Sequence, residues 1–197
     1  ISEQQEAMID KKQPDELLDQ HAIRNCRVPF RDLRVTNDAQ RNNLLIAVEN
    51  VLKNGPILMG SHVLDFEKRM AAYCERADAV GVASGTCALY LALRSLNIGP
   101  GDEVLTSPMS WVATLNAILM AGARPVFVDV GRDQNINPTL IESAITKRTR
   151  AIVPVHFTGR LCDMMAISEV ARVHNLLIIE DAAQAMGAMR ATYRAGS

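Results

Sequence analysis

Three short stretches of this 197-residue chain group residue types that can do chemistry together. The first, Ala83-Ser84-Gly85-Thr86-Cys87, follows a short apolar run and opens a helical pattern. Small residues let the backbone approach a ligand closely, and the N–H groups of a first helical turn, helped by the helix dipole, favour a phosphate. Gly85, Thr86 and Cys87 are therefore candidates for an anion cradle, with the Ser84 and Thr86 hydroxyls as further donors. An ordinary capped turn fits the same residues. The second stretch, Pro108-Met109-Ser110-Trp111, carries the single tryptophan of a chain with only 4% aromatic residues. At a strand-to-helix junction a flat indole can stack on a planar ring; it can equally plug a core. The third, Ile178-Ile179-Glu180-Asp181-Ala182-Ala183-Gln184-Ala185, is an apolar run ending in two carboxylates, then small residues and an amide. In an alternating strand Glu180 and Asp181 point to opposite faces, so one of them alone faces a ligand. A carboxylate at the base of a pocket suits a protonated ring nitrogen, and Gln184, one helical turn on, could bond a ring oxygen. A metal-binding or merely capping aspartate is the plainer alternative.

These stretches fall where a recurring architecture would put them. Short apolar runs bounded by turn residues occur at 79–83, 103–106, 125–130, 151–155 and 176–180, and helical patterns lie between them at 86–96, 110–121, 138–145 and 163–173. Strands alternating with helices predict βαβ units and a mostly parallel sheet flanked by helices, an α/β fold. In such sheets ligands sit beyond the C-terminal ends of the strands, where all three stretches lie. Upstream, Leu44, Val48, Val51 and Leu52 recur at helical spacing, with Thr36 or Asn37 as N-cap and Asn54-Gly55 as the stop. Ser61 is expected to cap a further helix that buries Val63, Phe66, Met70 and Tyr73. Residues 1–27 hold six acidic and four basic side chains and few large apolar ones. They are expected to be a loose extension with a short helix over 15–23, ahead of one domain spanning 28–197.

Taken singly, each stretch is open to its plainer alternative. Together they offer a phosphate cradle, a stacking face and a ring-nitrogen carboxylate, in the chain order of one pyridoxal 5'-phosphate (PLP) pocket.

Composition narrows the remaining classes. Apolar residues at 48%, charged residues at 22% and a net charge of −1 with mixed signs argue against nucleic acid or an anionic membrane as main partner. No apolar run reaches the roughly 18 residues of a membrane span. The four cysteines (Cys26, Cys74, Cys87 and Cys162) form no C-x-x-C pair and no metal-like cluster with the four histidines. That usage predicts a reducing, cytoplasmic setting.

From Val28 to about Gly187 the chain resembles the sugar aminotransferases of the DegT/DnrJ/EryC1/StrS type, which have the aspartate-aminotransferase-like, fold type I architecture. The resemblance rests on Val28-Pro29-Phe30, Gly55-Pro56-Ile57, Ala83-Ser84-Gly85-Thr86, Gly99-Pro100-Gly101-Asp102-Glu103-Val104, Ser110-Trp111-Val112-Ala113-Thr114, Pro125-Val126-Phe127-Val128-Asp129-Val130, Pro154-Val155-His156 and Ile179-Glu180-Asp181-Ala182-Ala183-Gln184. It covers the front part of the large domain. It implies PLP as cofactor, with the Thr86 and Cys87 N–H groups and the Thr86 hydroxyl on the phosphate. Trp111 would lie on the ring, Asp181 on its nitrogen and Gln184 by its phenolic oxygen, with His156 structural. It implies a keto nucleotide-sugar substrate, glutamate as amino donor, a role in cell-surface polysaccharide or aminosugar synthesis, and a homodimer when full length. The family's Schiff-base lysine is expected a couple of dozen residues past the aspartate, beyond Ser197, along with later strands and a small C-terminal domain. No residue of this chain is therefore named as the catalytic nucleophile, and the 197 residues alone are expected to be inactive. The alternatives are a non-catalytic truncated fragment, or part of a related PLP-dependent sugar dehydratase with histidine in place of that lysine.

Overall fold

In the computed structural model residues 33–55 and 58–197 are described. Val28-Pro29-Phe30, Pro56-Ile57 and the expected extension over 1–27, with its short helix, lie outside the described residues. The chain divides into two compact units, residues 1–58 and 59–197.

In the first unit, helix α1 spans Asp38–Asn54. Asn37 caps it as expected, its side-chain oxygen accepting from the Gln40 N–H at 2.9 Å, and the helix stops at Gly55.

In the second unit the order is α2 (Ser61–Tyr73), α3 (Gly85–Ser95), β1 (Glu103–Thr106), α4 (Val112–Met120), β2 (Arg124–Phe127), α5 (Pro138–Ala144), β3 (Thr149–Val153), α6 (Met164–His174), β4 (Leu177–Ile178), and a hairpin of β5 (Met189–Arg190) with β6 (Tyr193–Arg194). Strands β2-β1-β3-β4 form one parallel sheet. The α/β fold with a mostly parallel sheet flanked by helices is thus the one expected.

The central strands β1 and β3 are buried on both faces apart from Arg150, and the alternation along them assigns each residue to a face. Val104, Ala151 and Val153 point to one side, where Leu89 and Leu93 of α3 and Ala117 and Ile118 of α4 pack on them. Leu105 and Ile152 point to the other, against Ile141 of α5 and Ile167 and Ala171 of α6. This split follows from crossover handedness. The step from β1 to β2 runs one way along the sheet, and the steps from β2 to β3 and β3 to β4 run the other. Right-handed crossovers therefore put α4 on one face and α5 and α6 on the opposite one. The direction reverses between β1 and β3, and beyond the C-terminal ends of those two strands lies the crevice where open α/β sheets bind ligands.

At the other end of the sheet Glu103, almost fully buried, takes bonds from Thr146 Oγ1 (2.5 Å) and from Arg148 Nη2 (2.7 Å) and Nε (3.1 Å), with Arg124 at 3.6 Å. The Thr146 hydroxyl and the Arg148 fork hold its carboxyl below the usual range against the opposing effect of burial.

Three expectations are corrected. Residues 79–83 run outside any strand: Val80 is exposed, and the Gly81 N–H bonds the Glu67 side chain at 2.6 Å rather than a ladder partner. An apolar run becomes a strand only where a neighbouring strand meets its backbone, and none does so among the described residues. Ser61 is the first residue of α2, not its cap; Gly60 holds that position and no side chain caps the helix. The intended buried face of α2 is largely exposed at Val63, Phe66 and Tyr73, and Ala71 alone is buried, because α3 to α6 already cover both sheet faces. Strand ends also differ by a few residues. The run at 176–180 has two residues of ladder, and it continues as single contacts: the Ile179 N–H to the Ile152 carbonyl (3.1 Å) and the Asp181 N–H to the Pro154 carbonyl (2.9 Å).

Candidate cofactor site

The three stretches singled out by residue type meet in one cavity of about 240 Å³, lined by Gly85, Thr86, Ser110, Trp111, Asp181 and Gln184 among others. Each comes from a different strand end or helix start, so the site exists only through the sheet topology.

The start of α3 supplies the first wall. Ser84, in extended backbone, caps the helix by accepting the Cys87 N–H on its Oγ at 3.1 Å. The Cys87 N–H is therefore already engaged, and Cys87 is not among the residues lining the cavity. Gly85 and Thr86 do line it, and their N–H groups belong to the first turn, where no intrahelical carbonyl is available. A Cβ built on Gly85 meets nothing within 4 Å, so the backbone there borders open space. These observations suit an anion held by Gly85 and Thr86, and they give Ser84 the job of shaping the turn.

Trp111 is the residue just before α4 and is 72% exposed. It does not plug the core; its ring borders the cavity. Gln184 is exposed, and its Oε1 accepts the Thr158 N–H at 2.9 Å. A backbone N–H can only donate, so the amide orientation is settled, and Nε2 remains as a donor of two hydrogens. Thr158 itself has φ of 54° inside the short 3-10 turn Phe157–Gly159. That is a strained conformation for a β-branched residue, next to the site.

The pair at the end of β4 separates as alternation requires. Asp181 faces the cavity. Its Oδ2 accepts from Thr114 Oγ1 at 2.6 Å, and its Oδ1 from the Ala183 N–H at 3.2 Å. Among the described residues no group of three or more His, Cys, Asp or Glu is placed to hold a metal, so Asp181 has no ligand set around it. Glu180 turns the other way. His156 Nε2 lies 2.8 Å from its Oε2, the Gly196 N–H 3.0 Å from the same oxygen, and the Tyr193 hydroxyl 2.6 Å from Oε1. Burial disfavours the anion, yet these donors outweigh it and hold the Glu180 carboxyl below its usual range. Burial and the Glu180 anion together push the Tyr193 hydroxyl well up.

His156 is fully buried, and its Nδ1 accepts the Cys162 N–H at 3.1 Å, which places the ring proton on Nε2, donating to Glu180. Both ring nitrogens are thus engaged, and His156 is not among the residues lining the cavity. The Cys162 thiol, pushed up to about 12 by burial and then by Asp133 and Glu180, donates to the Val155 carbonyl and is no nucleophile. The Glu180 network and Thr114 were not legible as functional from residue type. Thr114 stands one helical turn after Ser110, but its partner is 67 residues away.

Lys147, the last lysine in the sequence, is exposed in the turn that leads into β3, at the end of the sheet opposite Asp181. None of the described lysines lines the cavity.

Comparison with known proteins identifies the family and the fold. The model of the DegT/DnrJ/EryC1/StrS aminotransferase family matches residues 38–197. The chain is 46% identical over 172 residues to the dTDP-3-amino-3,4,6-trideoxy-alpha-D-glucose transaminase of Streptomyces venezuelae, covering 87% of this chain and 45% of that protein. It is 44% identical to the UDP-N-acetyl-3-dehydro-alpha-D-glucosamine 3-aminotransferase of Acidithiobacillus ferrooxidans, over 83% of this chain and 45% of that protein. Among solved structures, a DegT DnrJ EryC1 StrS aminotransferase from Brucella abortus superposes with a TM-score of 0.81 at 34% identity, covering 86% of this chain and 48% of that one. NtdA of Bacillus subtilis, solved with bound cofactor PMP, superposes at 0.78 with 36% identity, over 81% and 37%. The chain spans about half the length, or less, of the relatives it matches.

Proposed function

Since this chain belongs to the DegT/DnrJ/EryC1/StrS aminotransferase family, we propose that the whole protein is a PLP-dependent transaminase acting on a keto nucleotide-linked deoxysugar, with glutamate as amino donor. The observation that carries the reading is Asp181, a half-buried carboxylate at a strand end, facing a cavity bordered by a helix start and an exposed indole. The cavity has one acceptor group at its base, one anion-favouring wall and one flat apolar face. PLP, of which PMP is the amine form, has a pyridinium, a phosphate and a planar ring to match.

When bound, PLP supplies an electron sink conjugated to the substrate carbon. The residues of this chain orient it. The Gly85 and Thr86 N–H groups and the Thr86 hydroxyl take the phosphate, and Trp111 covers one ring face and excludes water from it. Asp181 holds the proton on the ring nitrogen, and Gln184 donates from Nε2 to the ring oxygen. Cys87, assigned to the phosphate by the resemblance, acts through its place in the Ser84-capped turn. The amine that would bond the cofactor is assigned to none of the described lysines, since none lines the cavity. A place in cell-surface polysaccharide or aminosugar synthesis and a homodimer belong to the same proposal; the nucleotide-sugar relatives support the aminosugar part.

The test uses the gene's full-length product with PLP, glutamate and a panel of keto nucleotide sugars. Release of 2-oxoglutarate together with an amino sugar is expected. Asp181→Asn should keep the fold and lower kcat about 10³-fold, since a close charge pair is worth about 4 kcal/mol at an effective dielectric near 20. Parental turnover in that variant would remove Asp181 from the ring nitrogen. Loss of a sugar hydroxyl without consumption of any amino donor would instead identify a dehydratase.

A further inference from the structure

We infer that Thr114, backed by Ser110, is a positioning residue that fixes the plane of the Asp181 carboxylate for the cofactor ring; the inference rests on the PLP reading of the site. Thr114 is buried in the first turn of α4, and its Oγ1 lies 2.6 Å from Asp181 Oδ2 and 2.6 Å from Ser110 Oγ. Proton counting gives the chain a direction. An ionised carboxylate only accepts, so the single Thr114 proton goes to Asp181, and the Thr114 lone pair takes the proton of Ser110. The Ser110 hydroxyl also lies 3.1 Å from the Trp111 carbonyl, but one proton serves one strong bond, and the 2.6 Å contact is the shorter. The result is a relay from Ser110 to Thr114 to Asp181.

A helical hydroxyl has an easier option than reaching across the fold. Ser95 and Ser143 bond carbonyls three residues back in their own helices, Ala92 at 2.8 Å and Leu140 at 2.8 Å. Thr114 instead joins a carboxylate 67 residues away. With the Ala183 N–H on Oδ1, each Asp181 oxygen is anchored once, so the group cannot rotate about its last torsion without breaking a bond. A carboxylate offers about four acceptor positions, and two remain for a ring nitrogen. Ser110 adjoins Trp111, so the same relay ties the stacking face of the pocket to its carboxylate base.

The test compares the full-length protein with Thr114→Val, Thr114→Ser and Ser110→Ala. It uses three measurements: PLP affinity, the nitrogen NMR signal of ring-labelled PLP, and kcat apart from KM for the nucleotide sugar. Removing a hydroxyl bond to a charged group should weaken PLP binding about 10-fold or more in Thr114→Val. The ring-nitrogen signal should move toward the unprotonated position, and kcat should fall with KM unchanged. Thr114→Ser should restore each value to within about threefold, and Ser110→Ala should move them in the same direction by less. A purely structural Thr114 would lower the melting temperature and leave the nitrogen signal where it was; that result overturns the inference. Should Thr114→Val fail to fold, wild-type values in Ser110→Ala overturn it equally. If the wild-type protein takes up no PLP, the functional reading itself falls, an outcome distinct from either.

Discussion

Replacing Glu180 probes how the strand end beneath the cofactor site is held. Its two oxygens receive three donors: His156 Nε2 at 2.8 Å, the Tyr193 hydroxyl at 2.6 Å and the Gly196 N–H at 3.0 Å. The side chain is only 12% exposed, so water cannot substitute for a lost partner. Glu180→Gln has one good arrangement, with the amide oxygen toward His156 and Gly196 and the NH₂ toward Tyr193. The Tyr193 hydroxyl can then accept from the amide and donate to the Ser197 carbonyl at 3.2 Å. That variant loses charge assistance on its bonds, about 1 kcal/mol for each of the two that persist, so about 2 kcal/mol. Glu180→Leu strands the His156 and Gly196 donors in the interior and should cost about 4 kcal/mol. Urea midpoints of the full-length protein with and without PLP measure both. The pH dependence has a definite sign. Glu180 is held below its usual range in the folded protein, so its contribution is present above the unfolded value and disappears as pH falls through the folded one. The gap between parent and Glu180→Gln should therefore be full near neutrality and close in acid. A Glu180→Leu midpoint equal to the parent's, or a gap that widens in acid, would refute the reasoning. Because the His156 backbone N–H bonds the Asp181 carbonyl at 3.1 Å, a displaced His156 in Glu180→Leu should also loosen PLP binding.

Three further outcomes are expected. Trp111→Phe should keep most PLP affinity while Trp111→Ala lowers it about three- to tenfold by equilibrium titration, as for loss of an aromatic stack; equal affinity in both would take the indole off the ring. Gly85→Ala adds a methyl where nothing lies within 4 Å, so melting should be unaltered while PLP binding weakens about tenfold, and unchanged binding would move the phosphate elsewhere. Glu103→Gln should leave PLP binding intact and destabilise the protein at neutral pH, with the difference vanishing as pH falls through the lowered Glu103 value; acid titrations followed by circular dichroism read it.

Much of the fold and site was legible from residue order, for identifiable reasons. Apolar periodicity is a local property, so the runs at 103–106 and 151–155, which mark strands at 103–106 and 149–153, and the helices between them could be recognised without knowing their neighbours. Turn chemistry is local too: Asn37, one of the two caps expected for α1, holds it through a bond to the residue three places on. The run at 79–83 misled because a strand is completed by its partner, and apolar content says nothing of one.

The sequence by itself determined the class of fold, the three motifs that line the site and the opposite facing of Glu180 and Asp181, since period and chirality act within a few residues. Tertiary structure alone decided what each of those groups touches. Trp111 became a cavity wall rather than a core plug because α3 and α4 already fill that sheet face with Leu93, Ala117 and Ile118. Asp181 acquired Thr114, and Glu180 acquired His156 and Tyr193, through parallel register that sets the end of β4 beside β3 and brings α4 near both. Such pairings join residues 13 to 67 positions apart, and they form only once the buried sheet has set the register, because a one-residue slip would turn every side chain to the wrong face.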